Sequence, residues 1–211
     1  MMKPAATARV IAADDIDDTR RRYFDPVLKV TVVSVFQGDF YITARPGEML
    51  STVLGSCIAA CIRDPIAGVG GMNHFLLPDA GGADGGGAGV ELRYGSYSME
   101  QLINGILSRG GRRERLEVKV FGGANVIRSS SAVGHRNADF IEGYLTNEGL
   151  AIGSRHLRGT LPRKIQYFPA SGLVRMKEIA EVVANRVFER ETAHQVRLRP
   201  SPAAGSIELF D

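Results

Sequence analysis

The 211-residue chain predicts an α/β fold of the α+β type, with packed β-sheets flanked by outer α-helices in a single domain. Three observations predict it. The ordered part opens on two segments rich in β-branched and aromatic residues, 28–36 and 39–43, which favour a pleated, half-buried surface. Two apolar segments, 57–63 and 69–77, flank the turn-forming run Asp64-Pro65-Ile66-Ala67-Gly68 and read as a β-hairpin. Residues 96–110 carry Met99, Leu102, Ile103, Ile106 and Leu107 at helical spacing and end on Gly110.

The remaining elements follow in chain order. Residues 1–22 are polar, pair the acidic cluster Asp14 to Asp18 with Arg20, Arg21 and Arg22, and read as a mobile tail ahead of a domain over 23–200, with a second tail over 201–211. Residues 79–89 are Gly, Ala and Asp only, too little to bury, and read as a flexible loop. Residues 116–121 alternate as a strand and run into the tight turn Gly122-Gly123-Ala124-Asn125. A break within 129–135 precedes a helix over 136–148, strands follow over 150–154 and 163–168, and 177–191 reads as a last helix packed outside the sheets.

Composition excludes several functions. The apolar fraction of 44% supports one good core, no apolar run approaches the roughly 18 residues that span a bilayer, and residues 1–18 lack the regions of a signal peptide, so a cytoplasmic protein without membrane insertion is expected. The net charge of +3 is small and the arginine clusters sit beside acids, which reads as solvated surface and not as a nucleic-acid stripe. The glycine runs lack the spacing of a phosphate loop or a dinucleotide fingerprint, and no cofactor is expected. A zinc site on Cys57, Cys61 and His74 lacks a fourth ligand, so no metal is expected either.

The chemistry concentrates in the hairpin. A two-residue loop at Pro65-Ile66 sets Cys57 directly opposite His74, with Cβ atoms about 5 Å apart. A register shifted by two keeps them diagonal neighbours on one face, and a shift of one sends His74 to the other face. A histidine within reach of a thiol lowers its pKa and carries a proton to a leaving group. Gly55 and Ser56 let backbone N–H groups approach a developing oxyanion. Ser51 and Asn73 are both polar candidates to orient the imidazole, and the spacing does not choose between them. Cys61, between Ile58 and Ile62, reads as core packing, and His135, His156 and His194 as structural histidines.

The residues Arg22-Tyr-Phe-Asp-Pro26, Leu54-Gly-Ser-Cys57, Gly70-Gly-Met-Asn-His74-Phe-Leu-Leu-Pro78, Arg93-Tyr-Gly95, Met99-Glu-Gln-Leu-Ile-Asn104, Phe121-Gly-Gly-Ala-Asn125, Gly134-His-Arg-Asn137 and Pro162-Arg-Lys-Ile165, taken in order, resemble the chemoreceptor glutamine deamidase family, CheD. The resemblance spans about residues 23–174. It implies a fold similar to bacterial toxin deamidase domains and a protein-glutamine glutaminase in which Cys57 is the nucleophile and His74 the acid and base. Ser51 then stands where the family places a hydroxyl residue to position the histidine. It also implies chemoreceptor cytoplasmic domains as substrates, hydrolysis of glutamate methyl esters, and a CheC-type phosphatase as partner. At 154–159 the sequence departs from the family pattern: His156 stands for an acid and Arg158 for a glycine, so Arg158 is expected to alter that loop. A non-catalytic regulator that binds a phosphatase or receptor is the competing reading, and a cysteine protease ranks last.

Overall fold

The computed structural model describes residues 22–77, 87–126 and 133–179. Its elements, in chain order, are β1 (Arg22–Asp25), β2 (Val30–Ser34), β3 (Phe40–Thr43), β4 (Glu48–Leu54), β5 (Ile58–Asp64), β6 (Val69–Asn73), α1 (Gly87–Leu107), a 3-10 turn at Arg113–Arg115, β7 (Glu117–Gly122), α2 (Val133–Asn147), β8 (Ile152–Leu157), β9 (Arg163–Phe168) and β10 (Leu173–Glu178). The strands form two mixed sheets, β1-β2-β4-β9-β10 and β3-β6-β5-β7-β8.

Two apolar clusters define the layers. In one, Val33, Leu50, Leu54, Ile165 and Tyr167 of the first sheet meet Tyr41, Ala59, Cys61, Met72 and Phe121 of the second. In the other, Ile58, Ala60, Ile62 and Val120 of the second sheet meet Met99, Leu102, Ile106, Ile141 and Leu145 of the helices. The order is therefore sheet, sheet, helices. This explains the unbroken apolar run of β5: as part of the middle layer it is buried on both faces, with odd residues turned to the other sheet and even residues to the helices. The helix side packs tightly at β6, where a Cβ on Gly71 would lie 2.5 Å from the Tyr41 carbonyl oxygen and 2.9 Å from Leu102.

The α+β architecture with outer helices matches the expectation, and several boundaries differ. Helix α1 starts at Gly87, so 87–89 of the expected loop are helical, while 79–86 lie outside the described residues. Lys177 and Glu178, expected to open a helix, end strand β10 against β9, and 180–191 lie outside the described residues. Helix α2 starts at Val133, with 127–132 outside the described residues, and β8 runs to Leu157. Strands β1, β4 and β10 were not expected. The residues of β4 are buried at all but one position, which erases the alternation that reveals a one-faced strand.

Candidate active site

The hairpin turn sets the position of the cysteine. Asp64 Oδ1 accepts from the backbone N–H groups of Ile66 at 2.8 Å and Ala67 at 3.0 Å, and Gly68 N–H donates to the Asp64 carbonyl at 3.0 Å with φ 67°. Asp64 pairs with Val69, so the loop holds Pro65 to Gly68 and not two residues. This corrects the directly opposed arrangement: the carboxylate of Asp64 organises a longer turn and shifts the register by two. Beyond the ladder Ile58 and Phe75 exchange both backbone hydrogen bonds at 2.9 Å. His74 thus lies opposite Ala59, and Cys57, one residue before Ile58, is its diagonal neighbour on the same face. That face looks toward the first sheet, where Cys57 is buried among apolar side chains.

The imidazole is held from the first sheet. Thr52 Oγ1 lies 2.8 Å from His74 Nδ1, and the Val35 carbonyl lies 3.4 Å from the same nitrogen. Both contacts fall on Nδ1, so the first sheet holds this nitrogen of the ring, and the Thr52 hydroxyl can serve it as donor or acceptor. The backbone is clamped as well, with Gly38 N–H donating to the His74 carbonyl at 2.7 Å and His74 N–H to the Asp39 carbonyl at 3.0 Å.

Neither expected orienting residue makes this contact. The Ser51 hydroxyl donates to the Ile165 carbonyl at 3.1 Å. Adjacent strand residues face opposite ways, and Thr52 shares the inward face with Leu50 and Leu54. The Asn73 side chain turns to the helix layer, where Oδ1 accepts from Ala60 N–H at 2.9 Å and Nδ2 donates to the Ser98 carbonyl at 3.3 Å. Thr52 was missed because β4, buried at all but one position, does not show the alternation of a one-faced strand. Cys61 is enclosed in the same apolar layer, and burial pushes its thiol well above the usual range against a weaker opposing pull from Lys119.

Gly55 and Ser56 precede the cysteine on a segment whose carbonyls are all tied down. Gly55 accepts from Ala124 N–H at 2.9 Å, Cys57 from Gly123 N–H at 2.8 Å, and Ser56 from Asn137 Nδ2 at 2.8 Å. Within a trans peptide the N–H points opposite to its carbonyl, so each of these bonds also fixes the direction of the N–H that follows it. Asn137 Oδ1 also accepts from Leu77 N–H at 3.0 Å, which ties the cysteine segment to the histidine segment. Gly122 sits at φ 117°, and a Cβ there would lie 2.0 Å from the Cys57 carbonyl oxygen. Asn137 and Gly122 are far from Cys57 in sequence, and only contact reveals their part.

Arg158 leaves the neighbouring loop in the conformation a glycine favours. Its φ is 66°, a region that costs a non-glycine residue about 1–2 kcal/mol, and its N–H donates to the Gly122 carbonyl at 2.9 Å. The guanidinium bonds Asp139 at 2.6 Å and Glu142 at 2.7 Å on α2. Arg158 is thus a strained residue anchored through its side chain. His156 Nδ1 faces Arg163 Nη1 at 2.6 Å. Among the described residues no group of three or more His, Cys, Asp or Glu is placed to hold a metal ion.

Comparison with known proteins gives this geometry a family. A family model described as CheD chemotactic sensory transduction matches residues 76–178. A probable chemoreceptor glutamine deamidase CheD of Rhodopseudomonas palustris is 52% identical over 208 residues, covering 99% of this chain and 95% of the relative. Proteins of the same description from Dechloromonas aromatica (47% identical, 90% of this chain and 94% of the relative) and Caulobacter vibrioides (48%, 89% and 98%) are similar over nearly their whole lengths. These alignments extend well beyond the segment the family model matches, and at more than half identity across almost every residue, this chain belongs to the CheD family.

Proposed function

We propose that this protein hydrolyses glutamine side-chain amides in the cytoplasmic domains of chemoreceptors. One observation carries the reading: Cys57 and His74 share a face of the second sheet while the Thr52 hydroxyl, 2.8 Å from Nδ1, orients the ring from the first. With Nδ1 held by Thr52 and Val35, Nε2 is the nitrogen that takes the Cys57 proton. The thiolate attacks the amide carbon, and the N–H groups of Ser56 and Cys57 donate to the oxyanion. The imidazolium gives its proton to the departing nitrogen, ammonia leaves, and a thioester remains. Water, losing a proton to Nε2, attacks that thioester; the thiolate departs and the product is glutamate.

Each turnover adds one negative charge to a receptor helix, which weakens packing between like-charged neighbours. Hydrolysis of glutamate methyl esters follows the same course with methanol leaving, and a CheC-type phosphatase is the regulatory partner on this reading. The protein works in the cytoplasm, where these receptor domains lie; among the described residues no helix is long and apolar enough to cross a membrane.

The test is mass spectrometry of a receptor cytoplasmic fragment after incubation with the protein. The expected result is a gain, at particular glutamines, equal to exchange of NH2 for OH, absent with Cys57→Ala. Conversion that persists with Cys57→Ala, or none with the wild type, overturns the proposal. In the same assay Thr52→Val should lower kcat about 10²-fold, the scale of a misplaced catalytic group. Ser51→Ala should lose only the bond to the Ile165 carbonyl, about 1 kcal/mol of stability, with turnover retained. The opposite ranking would return the positioning role to Ser51.

A further inference from the structure

The pairing of β5 with β6 becomes irregular where it carries Cys57 and His74. The regular ladder runs from Asp64 with Val69 to Cys61 with Met72, and in the same register Ile58 and Phe75 exchange both backbone hydrogen bonds at 2.9 Å. Hydrogen-bonded pairs of an antiparallel ladder recur at every second residue, so the pairs flanking this bridge are Ala60 with Asn73 and Ser56 with Leu77. At both places a side-chain carboxamide enters the ladder. Ala60 N–H donates to Asn73 Oδ1 at 2.9 Å. Leu77 N–H, whose partner in a regular ladder is the Ser56 carbonyl, donates to Asn137 Oδ1 at 3.0 Å. That carbonyl accepts from Asn137 Nδ2 at 2.8 Å. One amide thus stands between two backbone groups that a regular ladder would join directly.

The place of Asn137 is fixed from outside the hairpin. It is fully buried on α2, and the start of this helix is pressed onto the turn after β7. A Cβ on Gly134 would lie 2.6 Å from the carbonyl oxygens of Gly123 and Ala124, and one on Gly123 would lie 3.1 Å from Ala138 Cβ. The same turn holds the cysteine segment, because Gly123 N–H donates to the Cys57 carbonyl and Ala124 N–H to the Gly55 carbonyl. The segment is therefore gripped along both edges, by the turn on one and by Asn137 on the other.

We infer that Asn137 is a positioning residue that sets the spacing of Cys57 from His74. Its carboxamide, inserted between Ser56 and Leu77, keeps the two strands apart by the width of an amide and stops their pairing from closing past Ile58. The inference rests on the deamidase reading for the reaction it serves. Asn137 acts through the backbone and takes no part in proton transfer. Buried backbone groups require partners; without the amide the Ser56 carbonyl and Leu77 N–H satisfy each other only by closing the gap, which draws Cys57 out of its place beside the imidazole.

The experiment uses Asn137→Ala, which leaves room for the ladder to close, and Asn137→Leu, which fills the space without a hydrogen bond, each alone and combined with His74→Ala. Two readouts are taken per folded molecule: deamidation of a receptor cytoplasmic fragment, and the pH dependence of Cys57 alkylation by iodoacetamide. Each single variant should lower kcat about 10²-fold, the scale of a misplaced catalytic group, with KM within about threefold of wild type. Alkylation of Cys57 should move up toward the ordinary thiol pKa of about 8.5. Combined with His74→Ala, neither substitution should slow alkylation further, because no imidazole remains to be placed. Variants that keep the wild-type pH profile, or whose effects multiply with that of His74→Ala, overturn the inference while the deamidase reading stands. A wild type that alkylates at low pH but converts no receptor glutamine overturns that reading and this inference with it.

Discussion

His74→Ala is expected to reduce glutamine deamidation by about 10³-fold or more, because the imidazole serves both halves of the reaction. It takes the thiol proton and delivers one to the leaving nitrogen, and a positioned acid or base is worth about 10²–10⁴-fold. The structural cost should be small, since the lost partners are the Thr52 hydroxyl and the Val35 carbonyl while the two backbone bonds of residue 74 need no side chain. The folded variant should therefore separate chemistry from stability. A second readout is alkylation: in the wild type Cys57 should react below the pH at which an ordinary thiol, of pKa about 8.5, ionises, and the variant should lose that advantage. Cys61, whose thiol is pushed up by burial, supplies the unreactive comparison within the same chain. Equal, slow labelling of both cysteines in the wild type would remove His74 from the activation of Cys57.

Asp64→Ala should produce the largest loss of stability, about 1.5–3 kcal/mol, the scale of hydrogen bonds to a charged group. Asp64 is fully buried. Its Oδ1 accepts from Ile66 and Ala67 N–H. Its Oδ2 accepts from Arg112 N–H at 2.8 Å and from Arg115 Nε at 2.8 Å and Nη2 at 2.6 Å. One carboxylate thus holds the β5–β6 turn, the end of the connection after α1 and a guanidinium. Burial alone raises a carboxyl pKa, but here the bonds from Arg115, Ala67, Arg112 and Ile66 outweigh it and hold the group well below the usual carboxylate range.

The sign of the pH effect follows. The unfolded chain takes up the Asp64 proton near pH 4, at the ordinary pKa of about 3.9, while the folded chain resists it. Stability from this group is complete above that pH and declines as pH falls through the window below it. Urea unfolding at pH 7 and at pH 3 checks both points. The wild type should lose stability on acidification, and Asp64→Ala, already destabilised, should lose less. A difference at pH 7 under about 1 kcal/mol would place Asp64 among ordinary polar turn residues. Because the Asp64 turn joins the ends of β5 and β6 opposite to those that carry Cys57 and His74, the folded fraction of Asp64→Ala should retain the wild-type alkylation rate of Cys57.

The parts of the site that could be read in the chain are those within one hairpin. Cys57 and His74 lie on consecutive strands with turn chemistry between them, so a local argument brings them to one face. The hairpin reading erred in loop length because Asp64 takes two backbone N–H groups on one carboxylate oxygen and extends the turn. The error was harmless only because a shift of two preserves the face. Helix α1 was legible where Met99, Leu102 and Ile106 repeat, and illegible at Gly87 to Gly89, where composition argues against a helix.

Read by itself, the sequence determined the α+β class, the hairpin and the candidate pair Cys57 and His74, because each depends on periodicity and neighbouring residues. The choice of Thr52 over Ser51, the clamping of the cysteine segment by Gly123, Ala124 and Asn137, and the strained anchor at Arg158 were decided only in the tertiary structure. Each depends on which strand of the other sheet, or which helix, is brought against the hairpin. Periodicity tells a side chain which face it occupies, but its partner across the layer is selected by packing between segments distant in the chain.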